Sequence, residues 1–288
     1  MGCEHVPVLF DEILHHLIAD GDELFVDATV GGGGHAFRIL EAYSRLSLVG
    51  IDADDEALAL AEVRLAPYKD RVLLKKGNFR DLKRILREES IEGVDAVLFD
   101  LGISLNQMSG GRGFSFSDEA ALDMRVNREE ALTARDVVNR YGYLDLARII
   151  REYGEEGDAA KIARLIVDAR RKKAIENAKE LADIVARAKK GRGKIHPATK
   201  TFQAVRMEVN RELANLEDGL RDAADVVKSS GRIGVIAFHS LEDRIVKMFF
   251  KDSPLLTPAT KKPLRPGRKE IASNRRARSA KLRIAEKR

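Results

Sequence analysis

Three acidic residues stand where chemistry can be concentrated. Asp27, Asp52 and Asp100 each follow an apolar run that reads as a β-strand: Leu24–Val26, Leu46–Ile51 and Val94–Phe99. Strand interiors reject carboxylates. In an open α/β sheet the carboxyl ends of the strands form the crevice where ligands sit. One acid in that place is ordinarily a cap or a turn residue; three that converge on one crevice read as a site. The first is followed by Gly31-Gly32-Gly33-Gly34-His35. Glycines between a strand and a helix let the backbone pass close to a ligand, and Ala36, Ile39, Leu40 and Tyr43 then recur at helical spacing.

Spacing alone leaves two ligands open. Gly31, Gly33 and Ala36 satisfy the dinucleotide pattern G-x-G-x-x-[GA], with Asp52 at about the right distance for a ribose. An NAD-binding oxidoreductase is compatible with that pattern. The carboxylate of Asp27 argues against it, because a pyrophosphate on this loop would be repelled. A cationic ligand suits the acid better. S-adenosylmethionine (SAM) carries a sulfonium and an ammonium and still offers a ribose to Asp52. A glycine-rich turn with no ligand is the plain alternative, outweighed by the joint arrival of strand, acid, glycines, helix and second acid.

Other side chains qualify less sharply. Phe79, in the loop Gly77-Asn78-Phe79, suits the face of a purine or the anchoring of a core equally well. His239 follows the strand Arg232–Phe238 and is placed for chemistry or for holding a substrate. The spacing Ser240-x-x-Asp243 beside it is that of a capping box. Arg170-Arg171-Lys172-Lys173 and Lys189-Lys190-Gly191-Arg192 are basic clusters. Such runs are usually solvated faces, and their position beside a candidate site gives them weight. No metal-ligand cluster is visible.

The elements that position these residues alternate. Strands at 24–26, 46–51, 72–74 and 94–99 are separated by helical patterns, among them 55–65 capped by Asp54 or Asp55. Residues 5–18 form an apolar helix with Pro7 near its start. The alternation stops after residue 103, residues 118–190 read as helices, and the sheet resumes after 203. Phe202, Val205, Val209, Leu213, Leu216 and Leu220 predict one long helix, which Ser229-Ser230-Gly231 ends before the strand at 232. The expected architecture is an α/β, Rossmann-like core of residues 1–103 and 204–288, with an all-helical domain of residues 104–203 inserted for substrate recognition.

Composition bounds the rest. The chain has 288 residues, 44% hydrophobic and 34% charged, enough for a sizeable core with an unusually charged surface. One cysteine, Cys3, excludes an intramolecular disulfide and a cysteine-based zinc site. The Met-Gly-Cys-Glu-His start lacks signal-peptide shape, and no apolar run approaches the ~20 residues that span a bilayer. A soluble, cytoplasmic protein with no membrane partner is therefore expected; a homodimer is compatible with the sequence. Residues 261–288 carry twelve Lys or Arg against Glu270 and Glu286, a net +10, in a chain of +5 overall. The remaining −5 belongs to residues 1–260. A basic tail on an acidic body points to a polyanion. The alternation of Ala280, Leu282 and Ile284 with Lys281 and Arg283 predicts a strand, hence an ordered basic edge.

Several motifs together resemble a known family. They are His5-Val-Pro-Val-Leu9, Asp27-Ala-Thr-Val-Gly-Gly-Gly-Gly-His35, Asp100-Leu-Gly-Ile-Ser104, Gly113-Phe-Ser-Phe116 and Leu122-Asp-Met-Arg125. With them go His196-Pro-Ala-Thr-Lys-Thr-Phe-Gln203, Phe238-His-Ser-Leu-Glu-Asp-Arg244 and Ala277-Arg-Ser-Ala-Lys-Leu-Arg283. The chain resembles, over nearly its whole length, the bacterial small-subunit ribosomal RNA cytosine-N4 methyltransferases, also called RsmH or MraW. The resemblance implies a class I SAM-dependent methyltransferase fold with a helical insertion, and methylation of a cytidine in 16S rRNA of the small ribosomal subunit, near the decoding centre. It places cofactor contacts on Gly33, Gly34, His35, Asp52, Phe79, Asp100 and Gln107, and Asp27 joins them on the charge argument above. Where the family usually has Ser-Pro before the glutamine, this chain has Leu105-Asn106. Asp100, His239 and Lys200 are the candidates for contact with the reacting base. Arg170, Arg171, Lys172, Lys173, Arg275, Arg276 and Arg278 are the candidates for RNA. A non-catalytic RNA-binding assembly factor on the same scaffold remains the other alternative.

Overall fold

The structure is a computed structural model that describes residues 7–104, 107–108, 110–189 and 196–288, without the side chain of Arg276. Cys3, the His5-Val6 opening, Leu105-Asn106 and the Lys190–Lys194 stretch lie outside the described residues. The chain divides into two compact units, one made of Met1–Gly102 with Leu213–Arg288 and the other of Ile103–Glu212.

The first unit is built on a seven-stranded sheet. Its strands are β1 Leu24–Asp27, β2 Ser47–Asp52, β3 Val72–Lys76, β4 Val94–Asp100, β5 Val227–Ala237, β6 Leu256–Pro258 and β7 Lys281–Lys287. They lie in the order β3-β2-β1-β4-β5-β7-β6. The first five are parallel; β7 runs antiparallel to β5, and β6 antiparallel to β7. This is the class I methyltransferase arrangement that the resemblance implied. Strand order reverses between β1 and β4, so the crevice for a ligand opens at their carboxyl ends. Both faces of the sheet are covered, which is why its central strands read as unbroken apolar runs. Phe25, Leu48, Ala96 and Leu98 pack on one face under α1 (Phe10–His16) and α2 (Gly34–Ala42). Val26, Val49, Val97 and Phe99 pack on the other, beneath α4 (Leu82–Glu88) and α10 (Glu212–Val226). Between these helices in the chain, α3 (Asp55–Leu65) is capped by Asp54, whose Oδ1 accepts from Glu56 N at 3.2 Å.

Three expectations need correction here. The first helix begins at Phe10, not at Pro7, because Leu9 takes a left-handed φ of 55° while its N–H donates to Glu270 Oε1 at 2.8 Å. β5 begins at Val227 and absorbs Ser229-Ser230-Gly231 as a bulge: Val94 pairs with Val227, but Ala96 pairs with Arg232. Finally, β7 is not an edge. It lies between β5 and the short β6, with Leu282 and Ile284 fully buried. Lys281 Nζ and Arg283 Nε reach Asp243 at 2.9 and 2.7 Å, so two cations of the tail are neutralised inside the unit.

The second unit is helical: α5 Ala134–Arg140, α6 Tyr143–Glu152, α7 Ala159–Arg170, α8 Ala178–Ala188 and α9 Thr199–Asn210. Thr133 and Asp136 form a capping box at the start of α5, and Asn177 Oδ1 caps α8 through Glu180 N at 2.8 Å. Leu146, Ile149, Ile150, Ile162, Ile166, Leu181 and Val185, at helical spacing, fill one core. The stripe from Phe202 to Leu220 is not one helix. Arg211, at φ 51°, breaks it into α9 and α10, and Arg206 pairs with Glu212 across the break at 2.8 Å. A three-four periodicity survives such a break, so spacing alone does not reveal it. Among the described residues no helix is long and apolar enough to cross a membrane.

Candidate active site

Sheet register builds the site. Asp27 pairs with Gly50 on β2 and with Leu98 on β4. Both neighbours continue two residues further, to Asp52 and Asp100. Paired residues of parallel strands point to the same face, and side chains alternate along each strand. Asp27, Asp52 and Asp100 therefore share one face. The central strand stops short, so Asp27 forms the floor of a notch whose two walls end in acids.

Asp27 is buried, 2% exposed. Burial, then the nearby charges of Asp100 and Asp52, push its carboxyl up to about 8, against the help of the Thr29 N–H that donates to its Oδ1 at 3.2 Å. Burial likewise pushes Asp52 up to about 6, although Asp54 N and Gly31 N donate to its two oxygens at 2.9 Å each. Among the described residues no Lys or Arg side chain pairs with Asp27 or Asp52. Gly31 thus ties the glycine loop directly to the second acid. Gly33 closes the loop at φ 75°, and a Cβ there would meet Leu65 Cγ at 3.3 Å, so this glycine is required by the packing of the loop on α3 as well as by its turn.

Asp100 is held from two directions. Its N–H donates to Thr29 Oγ1 at 2.6 Å, and its Oδ2 lies 3.5 Å from His35 Nδ1. His35 is 6% exposed, and its Nε2 sits 2.9 Å from the Val8 carbonyl. The imidazole therefore bridges the segment before α1 and the end of β4. Phe79, half-buried, packs edge-on against Phe99 at 5.6 Å. Gly219 in α10 makes room for it: a Cβ there would fall 2.8 Å from Phe79 Cδ2.

The other candidates divide. His239 caps α11 (Ser240–Asp252), and its Nε2 lies 2.8 Å from Glu242 Oε1. Glu242 Oε2 accepts from Phe238 N at 2.9 Å. The capping acid is thus Glu242, not Asp243, which faces Lys281 and Arg283 instead. In the helical unit, Lys200 Nζ donates to the Glu155 carbonyl at 2.7 Å. Gln107 is buried, and its Oε1 accepts from Ser104 N at 2.9 Å. Arg170 caps a helix: it donates to the Val138 and Tyr141 carbonyls at 2.7 and 2.6 Å, at the carboxyl end of α5. Arg171 pairs with Asp168 and Lys173 with Glu180, while Lys172 is exposed. In the sheet unit, Arg275 and Arg278 are exposed.

Sequence reasoning passed over Thr29, Gly219 and Glu242. Thr29 touches Asp27 and Asp100 at once, a link visible only in register. Gly219 did leave a signal, because an interior helix glycine costs about 1 kcal/mol against alanine and asks for a packing reason.

Comparison with known proteins adds a second line. A model of the MraW methylase family matches residues 2–288. The chain is similar to ribosomal RNA small subunit methyltransferase H of Persephonella marina, with 49% identity over 290 residues that cover 99% of each chain. It is also similar to the protein of that name from Carboxydothermus hydrogenoformans, with 46% identity over 308 residues covering 100% of this chain and 99% of the other.

Proposed function

The chain belongs to the MraW methylase family, and we propose that it methylates the exocyclic N4 of a cytidine in 16S rRNA, near the decoding centre, with SAM as methyl donor. The observation that carries the cofactor reading is the notch of three acids, in which Asp27 and Asp52 have no cationic side chain for a partner among the described residues. A buried carboxylate without a cation is costly. A ligand carrying its own positive charge relieves that cost, whereas a pyrophosphate would add to it. The residues therefore fit SAM better than NAD, and membership of a methylase family leaves the oxidoreductase alternative without support.

When bound, SAM supplies an electrophilic methyl group. Asp27 offers its carboxylate to the positive charge. Asp52, whose oxygens each keep a lone pair beyond their backbone bonds, accepts from ribose hydroxyls. Asp100, steadied by Thr29 and His35, completes the acidic wall, and Phe79 offers an apolar ring. Gly33, Gly34 and Gln107 are assigned from the resemblance. Methyl transfer from a sulfonium is an in-line displacement, so the work of the protein is orientation and exclusion of water. Cytosine N4 is a weak nucleophile because its lone pair is delocalised into the ring. A base turned out of its stack brings that amine to the methyl, with His239 and Lys200 as candidate contacts. Arg171, Lys172 and Lys173 are assigned a role in holding the RNA, with Lys172 the most available, while the guanidinium of Arg170 is occupied by the carbonyls at the end of α5.

Purified protein, labelled SAM and small ribosomal subunits should yield N4-methylated cytidine on nucleoside analysis. Label on ring C5, on ribose or on protein would overturn the reaction assigned here. Binding of subunits with no transfer of label would favour a non-catalytic assembly factor.

A further inference from the structure

The net +10 of residues 261–288 is not one surface. The structure sorts it into cations that are bound internally and cations that are not. Lys281 and Arg283 are held by Asp243, while Lys287 and Arg288 donate to the Asp225 and Pro254 carbonyls at 3.0 and 3.1 Å. Arg265, Arg268, Lys269, Arg275 and Arg278 are all exposed, and among the described residues none of them donates to a carboxylate.

Register shows where these five lie. β7 runs antiparallel to β5, and its first residue, Lys281, pairs with Ala237, at the carboxyl end of β5. Leu264 bridges to Leu282 near that same end. The chain between them, residues 265–280, including the helix α12 (Arg268–Ser273), is therefore at the end of the sheet where Asp27, Asp52 and Asp100 stand. A run of short contacts confirms the proximity. Glu270 of α12 accepts from Leu9 N at 2.8 Å, Val8 accepts from His35 Nε2 at 2.9 Å, and His35 Nδ1 is 3.5 Å from Asp100. Glu270, the one acid within residues 265–280, is spent on that tether.

We propose that Arg265, Arg268, Lys269, Arg275 and Arg278 form a phosphate-binding rim at the crevice mouth, which grips the RNA backbone flanking the target base. The inference rests on the rRNA reading above and adds the side of the crevice over which the strand passes. Charge makes the division of labour. The notch is acidic and repels a polyanion, so the backbone must be held outside it by fixed cations while one base enters. Phosphate contacts of this kind position the strand without reading its sequence.

The test is filter binding of a single-stranded RNA from the decoding region, across a salt series, with three variants of the full chain. One carries Arg268→Ser with Lys269→Ser, and one Arg275→Ser with Arg278→Ser. The control carries Lys247→Ser with Lys251→Ser. Those lysines are exposed on α11, which leads from the carboxyl end of β5 back to β6, whose Leu256 pairs with Lys287 at the opposite end of the sheet. Each rim pair should weaken RNA binding about tenfold near 0.15 M salt and lower the slope of log K against log salt by about 1.4, roughly 0.7 for each phosphate left without its cation. The control should keep both values, and SAM affinity should hold in all three. Rim pairs that keep the wild-type affinity and slope, or a control that loses as much as they do, overturn the proposal. Methylation of small ribosomal subunits by the wild type, scored separately, judges the reaction: rim-dependent RNA binding without methylation of the subunits would sink the enzymatic reading and leave the rim standing.

Discussion

Asp27 and Asp243 are acids in the same sheet unit, the first buried and the second half-buried, and they behave in opposite ways. Asp27 has only a backbone N–H to set against burial and two neighbouring acids, and it is pushed up to about 8. Burial pushes Asp243 up too, but hydrogen bonds from Arg283 and Lys281 outweigh it and hold the carboxyl below its ordinary range. The difference separates structure from site. At Asp243 the fold supplies the cations itself. Where it leaves the acid uncompensated, the missing charge is expected from a ligand.

The largest effect should come from breaking the compensated region. Asp243→Ala strands two cations between α11 and β7 and should cost about 3 kcal/mol in urea unfolding, the lower end for a broken buried pair because some solvent reaches it. The sign with pH follows from a depressed carboxyl. The stabilisation is fully present above the unfolded value near 4 and is lost as pH falls through the lower folded value. An unchanged midpoint would show that β7 is held by Leu282 and Ile284 alone.

Next in size, Asp52→Ala should weaken SAM binding by roughly 1.5–3 kcal/mol in calorimetry, the worth of a hydrogen bond to a charged group. Unchanged affinity would remove Asp52 from the site. In the cofactor-free protein, Asp27 should make stability fall as pH rises from about 4 towards 8, because the folded state holds a proton that the unfolded state has released. Asp27→Asn should flatten that fall, and a melting series that keeps its wild-type slope would contradict the burial argument. The smallest effect, about 1 kcal/mol of stability with little change in RNA affinity, is expected for Arg170→Gln, which loses a helix cap in the helical unit. Lys172→Ser should do the reverse. Equal losses of RNA affinity in both would restore Arg170 to the RNA surface.

The sequence made the acids legible because carboxylates at the ends of apolar runs conflict with strand formation, so their positions stand out. It made the helical block legible through periodicity. It misplaced what depends on partners distant in the chain. Asp243 fits a capping box by spacing, yet Glu242 takes that role because Asp243 is drawn to β7. The tail strand was recognisable from alternation, but its interior place depends on β6, three residues too short to signal themselves. Phe79 looked equally like a ligand platform and an anchor; contact with Phe99 and Gly219 makes it at least an anchor. The break at Arg211 is a single left-handed residue inside an intact stripe.

The central claim is that the notch takes its missing positive charge from the cofactor. Titration of SAM into the protein near pH 7, in two buffers of different ionisation enthalpy, counts the protons exchanged on binding. A carboxyl at about 8 in the free protein that becomes a carboxylate beside a bound cation predicts release of close to one proton per SAM, and release that disappears in Asp27→Asn. Binding with no proton release, or with the same release in Asp27→Asn, would contradict the account.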